Sequence, residues 1–359
     1  MTSADFRHDY GAHVENMRLR QKDQQHLQFF QSIIEDNRHL FEGRSILVLS
    51  CGPGTLALMA ARAGAAHVYA IDYSNVTDYA QLVVKENHYE HVITVLHGRV
   101  TDLKLTKQLL VDGIICNWMG HCLLYESELV QVLQARELWL KPDGFILPDL
   151  GALYLMGGSN QLLKNERCNW WLDVYGCKMN AMRRYSMAEP RYAKVKGDQL
   201  LTLARKVMSL DLRTATMEDL QLDCDIRLQA LHEGYFECFV LYFDVTFSRG
   251  HLPQKLSCNP WLGSQLKSLW LQTVLFVEQP FIMRAKYNYT GHLVFKPLKQ
   301  EEELSRLNLN EMKIQIEFFE ATPDGGWNPR VRKSWLMLPR FQTVQEVTDC
   351  QDQQFRLDL

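Results

Sequence analysis

Ile46, Leu47, Val48 and Leu49 form a short unbroken apolar run that stops at Ser50-Cys51-Gly52-Pro53-Gly54. Apolar residues then return at helical spacing, at Leu56, Leu58, Met59 and Ala60 to Ala63. This order predicts a strand, a tight turn and a helix, because a strand buried on both faces has no polar side to alternate with. A second apolar run, Val68 to Ile71, closes on Asp72, a third lies near Val92 to Leu96, and a fourth covers Gly113 to Cys116; a helix from about Asp78 separates the second from the third. Strands alternating with helices predict a parallel, doubly wound sheet of the α/β class. The helix expected after Glu126 runs through Leu129, Val132, Leu133 and Leu140, and Lys141-Pro142-Asp143-Gly144 reads as its stop and turn.

Beyond Pro148 the pattern changes to period-two, aromatic-rich segments such as Tyr235 to Phe247, Trp270 to Glu278 and Lys313 to Phe318, which predict a β-barrel or sandwich. The stretch from about Asn160 to Pro190 carries Trp170, Trp171, Val174, Tyr175 and Met179. It is too aromatic for a solvated linker and is expected to pack locally or against a partner. The polar residues after Val344 read as a loosely held tail.

Composition narrows the class. With 47% hydrophobic and 23% charged residues, a chain of 359 residues has enough apolar material for two packed domains. A formal charge of -3 excludes a strongly basic nucleic-acid binder, while a local acidic surface remains compatible with arginine-rich protein segments. The nine cysteines show no CxxC pair, which fits reduced thiols in the cytoplasm or nucleus better than a disulfide framework. The first ten residues lack the apolar core of a signal peptide, and no apolar run is long enough for a membrane span.

The turn at Ser50 to Gly54 is the first candidate for chemistry. A glycine-bearing turn lets a ligand approach the backbone, and an acidic residue closing the next strand can accept hydrogen bonds from ribose hydroxyls. Ser50, Gly52, Gly54 and Asp72 hold those places, although the same residues also suit a structural crossover. The dinucleotide fingerprint GxGxxG is absent, which counts against a nicotinamide oxidoreductase.

The second candidate is the stretch Ile114-Ile115-Cys116-Asn117-Trp118-Met119-Gly120-His121-Cys122-Leu123-Leu124-Tyr125-Glu126-Ser127-Glu128. Together with Asn37-Arg38-His39-Leu40-Phe41, Ala63-Gly64-Ala65, Pro142-Asp143-Gly144, Trp170-Trp171 and Val174-Tyr175-Gly176, it resembles the type I protein arginine methyltransferases over roughly residues 9 to 330. The resemblance implies an N-terminal helical segment (1–36), a Rossmann-like S-adenosylmethionine-binding domain (37–148), a β-barrel substrate domain (149–340) with a helical dimerisation arm at about 160–190, and a C-terminal tail (341–359). It also implies arginine-rich substrates such as histones or RNA-binding proteins, a homodimer or a heterodimer with a related methyltransferase, and no direct contact with nucleic acid or membrane.

In that family two glutamates nine positions apart face the substrate guanidinium; this chain has Glu126 at the second position and Asn117 at the first. A guanidinium keeps its proton up to a pKa above about 12, so carboxylates that draw its charge toward two nitrogens leave the third able to attack a methyl sulfonium. Asn117 brings a donor where the guanidinium needs an acceptor. Other departures cluster around the same pocket: Ser50 for the first turn glycine, Val48 for an acidic strand residue, Arg7, His8 and Gly11 in an aromatic cofactor cover, His26 for a cofactor-pairing arginine, and Ser268-Leu269-Trp270 where a histidine is expected at the middle position. Weak or absent activity is therefore expected, and a catalytically inactive pseudoenzyme that acts as a dimer partner or as a binder of arginine-rich peptides is the alternative.

Several residues invite plainer readings. Cys116, His121 and Cys122 match no zinc spacing and no metal is expected; the cysteines read as core residues. His121 reads as a loop histidine with its hydrogen bonds met, the alternative being a titrating or substrate-binding group, and Met119 as packing at the pocket wall, the alternative being contact with the methyl donor; Trp270 reads as barrel core and Glu301 to Glu303 as a solvated acidic face. Glu126 has an alternative role as a cap on the helix that follows it.

Overall fold

The computed structural model describes residues 12–103, 110–251, 253–265, 268, 270–285, 287–298, 307–322 and 326–339. Arg7, His8, Gly11, Leu269, Glu301 to Glu303 and the C-terminal tail lie outside them. Among the described residues, the helices α1 (Val14–Gln21) and α2 (Gln24–Asp36) precede the first sheet. The second starts where the Asp23 carboxylate accepts from the His26 amide at 3.0 Å, and it buries Phe29, Phe30, Ile33 and Ile34 along one face.

The first domain is the predicted parallel sheet. Its strands are β1 (Ser45–Leu49), β2 (His67–Asp72), β3 (Ile93–His97), β4 (Val111–Cys116) and β5 (Leu140–Leu147). They stand in the order β3-β2-β1-β4-β5, every pair parallel. The helices α3 (Thr55–Arg62), α4 (Val76–Glu86) and α5 (Leu129–Trp139) connect them. The order reverses at β1, so the strand ends of β1 and β4 open the crevice where α/β sheets bind ligands. β4 is buried at every residue, as its uninterrupted apolar run requires.

One detail differs from the sequence reading. Lys141 to Gly144 do not separate α5 from a later strand; they fall within β5, whose pairing with β4 jumps from Val111↔Leu140 to Gly113↔Phe145. The turn signal is real, but the strand resumes Leu140's pairing on its far side, so the tetrapeptide is a bulge in an edge strand.

The second domain is antiparallel throughout. One sheet joins β6 (Leu150–Gly158), β7 (Arg191–Ala193), β8 (Arg205–Asp211), β10 (Gly234–Phe247), β11 (Gln254–Ser257) and β12 (Gln272–Met283); the other joins β9 (Leu222–Gln229), β13 (Asn288–Pro297), β14 (Met312–Ala321) and β15 (Trp327–Met337). The two close into a barrel. Trp335 on β15 donates its indole N–H to the Phe276 carbonyl on β12 at 3.2 Å, and the buried Lys333 pairs with Glu278 at 2.6 Å. Phe236 stacks on Phe281 and Phe318 in the interior, and Phe239 meets Phe318 edge-on.

Between β6 and β7 the chain leaves the barrel as α6 (Gln161–Arg167), a short turn through Trp170, and α7 (Asn180–Ala188). Cys168 and Met187 anchor its base, while Tyr175 at its tip is 99% exposed and Leu162 83%. An apolar tip of this kind, held clear of its own core, suits contact with another chain.

On the outer face of the second sheet, His292 bonds Asp225 through Nδ1 at 3.0 Å and Asp223 through Nε2 at 2.8 Å. The Asp225 hydrogen bond raises its pKa above the ordinary 6.5 against a smaller opposing effect of burial. A raised folded-state pKa adds stability that is complete below the unfolded value and is lost as pH rises through the folded value. The expected outcome is that His292→Gln lowers the melting temperature at about pH 5.5 and leaves it nearly unchanged at about pH 8.5, by a small amount because the pair is solvent-screened. Thermal unfolding of both proteins across that range checks it; equal losses at both ends would refute it.

Candidate functional site

Both candidate segments lie at the carboxyl ends of the central strands. β1 runs straight into Ser50 to Gly54, where Ser50 and Gly52 take left-handed φ values of 48° and 52°. For Gly52 this conformation is free, and a side chain there would meet nothing within 4 Å, so the turn faces open space. For Ser50 it is strained by about 1 to 2 kcal/mol, a cost that glycine would not carry.

Asp72 at the end of β2 closes the turn. Its Oδ2 accepts from the Gly52 amide at 3.1 Å, and its Oδ1 accepts from the amide and hydroxyl of Ser74 at 2.9 and 2.8 Å. A carboxylate offers about four acceptor directions, so roughly one remains for a ribose hydroxyl unless the Ser74 hydroxyl turns away. The turn and the carboxylate thus fit the ribose end of a nucleoside cofactor. His26 does not fit a partner for a cofactor carboxylate: burial pushes its pKa down to about 4 against the nearby Asp23 charge, leaving it neutral at pH 7. Its Nδ1 is buried with no hydrogen-bond partner.

The segment after β4 is a compact loop built on Gly120. Gly120 and Leu123 exchange backbone hydrogen bonds of 3.1 and 2.9 Å, and the Tyr125 amide donates to the His121 carbonyl at 2.9 Å. Cys122, Leu123 and Glu126 carry φ values of 50°, 70° and 60°. Such a cluster of left-handed non-glycine residues costs roughly 1 to 3 kcal/mol each and persists only where surroundings enforce it. Here the Trp118 indole donates to the Pro148 carbonyl at 2.9 Å, and the Glu126 amide donates to the Leu309 carbonyl of the barrel at 2.9 Å.

Glu126 is not a helix cap; the residue preceding α5 is Glu128, which makes no side-chain cap bond. Glu126 instead lines a cavity of about 310 Å³ with His121 and Tyr125. Among the described residues Asn117 does not line that cavity, and its Oδ1 is buried without a hydrogen-bond partner. His121 is also not satisfied, because its Nδ1 lacks a partner. Its ring stacks on Tyr192 at 3.8 Å and meets Trp270 edge-on at 5.9 Å. Burial lowers the His121 pKa more than the Glu126 charge raises it, so the imidazole is neutral at pH 7. Met119, Cys116 and Cys122 are core residues, and burial pushes the two thiols up, Cys122 to about 12.

Tyr192 was not singled out by the sequence. It sits in a three-residue strand with only Pro190 as a local signal, and it reaches the loop because β7 pairs with β12 at Thr273.

Comparison with known proteins decides the family. Protein arginine N-methyltransferase 8-B of Danio rerio is 34% identical over 302 residues, covering 84% of this chain and 71% of that protein. The chain belongs to the protein arginine N-methyltransferase family. Protein arginine N-methyltransferase 1 of Dictyostelium discoideum agrees at 32% identity over 89% of this chain and 90% of that protein. Family models for a methyltransferase domain and for the arginine methyltransferase oligomerization subdomain match residues 46–144 and 149–313. The structure of the Trypanosoma brucei PRMT1 enzyme-prozyme heterotetrameric complex with AdoHcy superposes with a TM-score of 0.82 at 29% identity, over 91% of this chain and 99% of that one. Arabidopsis thaliana protein arginine methyltransferase 10 shares the fold, with a TM-score of 0.80 at 23% identity over 92% of this chain and 99% of that one. A Rossmann-like methyltransferase domain followed by the family's barrel is therefore the architecture, and the arm is the barrel's insertion.

Proposed function

We propose that this arginine methyltransferase family member uses S-adenosylmethionine to methylate arginine in protein segments, with reduced catalytic power. The observation that carries the reading is the Gly52 turn, open on its outer side and tied through its amide to the Asp72 carboxylate at 3.1 Å. When bound, the cofactor supplies an electrophilic methyl. Glu126 draws guanidinium charge toward itself, while Asn117, which does not line the Glu126 cavity and keeps its Oδ1 buried, supplies no second charge. The missing charge-assisted bond accounts for the reduced power.

Arginine-rich segments such as those of histones are the substrate class, in the cytoplasm or nucleus. The exposed arm supports assembly with a second chain, either a copy or a related methyltransferase, as the solved Trypanosoma brucei enzyme-prozyme heterotetramer illustrates for that protein. A second reading, a non-catalytic subunit in such an assembly, is favoured by the neutral His26 and the strained Ser50.

Calorimetric titration with S-adenosylmethionine and with S-adenosylhomocysteine separates the two. Micromolar binding, about -8 kcal/mol, is the expected result. No heat up to millimolar ligand, with an unchanged melting temperature, would overturn the enzyme reading in favour of the subunit.

A further inference from the structure

The cavity that holds Glu126 has a second carboxylate, and it comes from the other domain. Glu189, Pro190 and Tyr192, from the entry into β7, line the cavity as well, as does the end of β15. We propose that Glu126 and Glu189 together seat the guanidinium of an arginine-bearing peptide, with Glu189 acting as the binding carboxylate that Asn117 cannot be. This rests on the reading of the chain as a binder of arginine-containing substrates.

Glu189 is held in place. Its Oε2 accepts from Arg191 Nη1 at 2.9 Å, and the other Arg191 nitrogen donates to the carbonyl and hydroxyl of Ser186 at 2.8 and 2.7 Å. The backbone of Glu126 is held by the hydrogen bond its amide donates to the Leu309 carbonyl, and among the described residues no basic side chain forms an ion pair with its carboxylate. The nearby imidazole, His121, is neutral and leaves its buried Nδ1 without a partner.

The cavity therefore presents one unpaired carboxylate and one anchored carboxylate beside an aromatic wall. A guanidinium satisfies all of these at once. It is planar, carries five donors in a fixed fork, and stacks on aromatic faces, whereas an ammonium is a hydrated point charge with three donors. The stacked pair of His121 and Tyr192, 3.8 Å apart, gives the wall its flat aromatic character. Because the two carboxylates lie on different domains, the clamp is completed only when the loop and the barrel are docked as they are here.

Fluorescence anisotropy on the full chain tests this, using a labelled glycine-rich peptide with one arginine and its citrulline and lysine counterparts. The wild type is expected to favour arginine over citrulline by about tenfold or more, as a charge-assisted bond predicts. In Glu189→Gln, which keeps the size and an acceptor for Arg191, that ratio should fall to within about threefold, while binding of S-adenosylhomocysteine stays as in the wild type. Glu189→Asp, which keeps the charge and withdraws it by one methylene, should give an intermediate ratio and covers the case in which the glutamine variant is poorly folded. An unchanged arginine-to-citrulline ratio in both variants, or no discrimination by the wild type, would overturn the proposal. The cofactor titration fails or succeeds separately, so loss of the enzyme reading and loss of this clamp give different results.

Discussion

Gly120→Ala is expected to abolish methyl transfer and arginine-peptide binding together while leaving the Rossmann-like sheet folded. A Cβ at Gly120 would lie 2.0 Å from the Tyr125 carbonyl oxygen and 2.7 Å from the Ser127 amide, so the backbone on both sides of Glu126 has to move. Flexible side-chain atoms could yield, but these are backbone atoms already held by a network. The Gly120 amide bonds Leu123, the Tyr125 amide bonds His121, and the Glu126 amide bonds the barrel at Leu309. Overpacking of this kind costs about 1 to 3 kcal/mol of stability, and a displacement near 1 Å at a reacting group costs about a hundredfold in rate. Circular dichroism should therefore show retained secondary structure and a melting temperature lowered by several degrees. Single-turnover methyl transfer should fall by about a hundredfold or more. A variant with wild-type transfer would mean that the loop does not set the position of Glu126.

How far the sequence alone reaches is visible in the two candidate segments. The strand, turn and helix around Gly52 were legible because a continuous apolar run, a cluster of turn residues and a helical period each speak locally, and β1 and α3 formed where the pattern placed them. The loop at Asn117 to Glu128 was legible only through resemblance, since its left-handed residues Cys122, Leu123 and Glu126 have no propensity for that backbone and are forced into it by tertiary contacts. The helix-cap alternative for Glu126 failed for the same reason: local rules favour a carboxylate ahead of a helix, but α5 starts after Glu128.

Partners distant in sequence were out of reach. Glu189 and Tyr192 meet Glu126 across the domain boundary through a three-residue strand whose pairing with β12 no periodicity could announce. The unmet hydrogen bonds of His121 and His26 were equally hidden, because satisfaction depends on which groups the fold brings alongside. The sequence thus pointed to a loop, while the composition of the cavity beside it had to come from the fold.

Asn117→Glu is expected to raise methyl transfer by about ten to a few hundredfold, the second large effect. Asn117 directly follows β4, whose strand pairs with β1, so its backbone is fixed by the most buried part of the sheet. Its Oδ1 is buried with no hydrogen-bond partner, so the fold already tolerates an unsatisfied acceptor at that atom. Glutamate adds one methylene and a full charge there. A carboxylate that reaches the guanidinium adds a charge-assisted contact that Asn117 does not make, a difference of about 1.5 to 3 kcal/mol that raises the rate to the extent it is felt in the transition state. The opposing term is the cost of burying that charge in the absence of substrate. It should appear as a lower melting temperature for the free protein that recovers when an arginine peptide binds, because the guanidinium then neutralises the site. Rate and stability are therefore expected to move in opposite directions. Methyl transfer that stays at the wild-type level in a folded, cofactor-binding Asn117→Glu variant would show that the missing carboxylate does not limit the chain, and that the shortfall lies at the neutral His26 and strained Ser50 of the cofactor side.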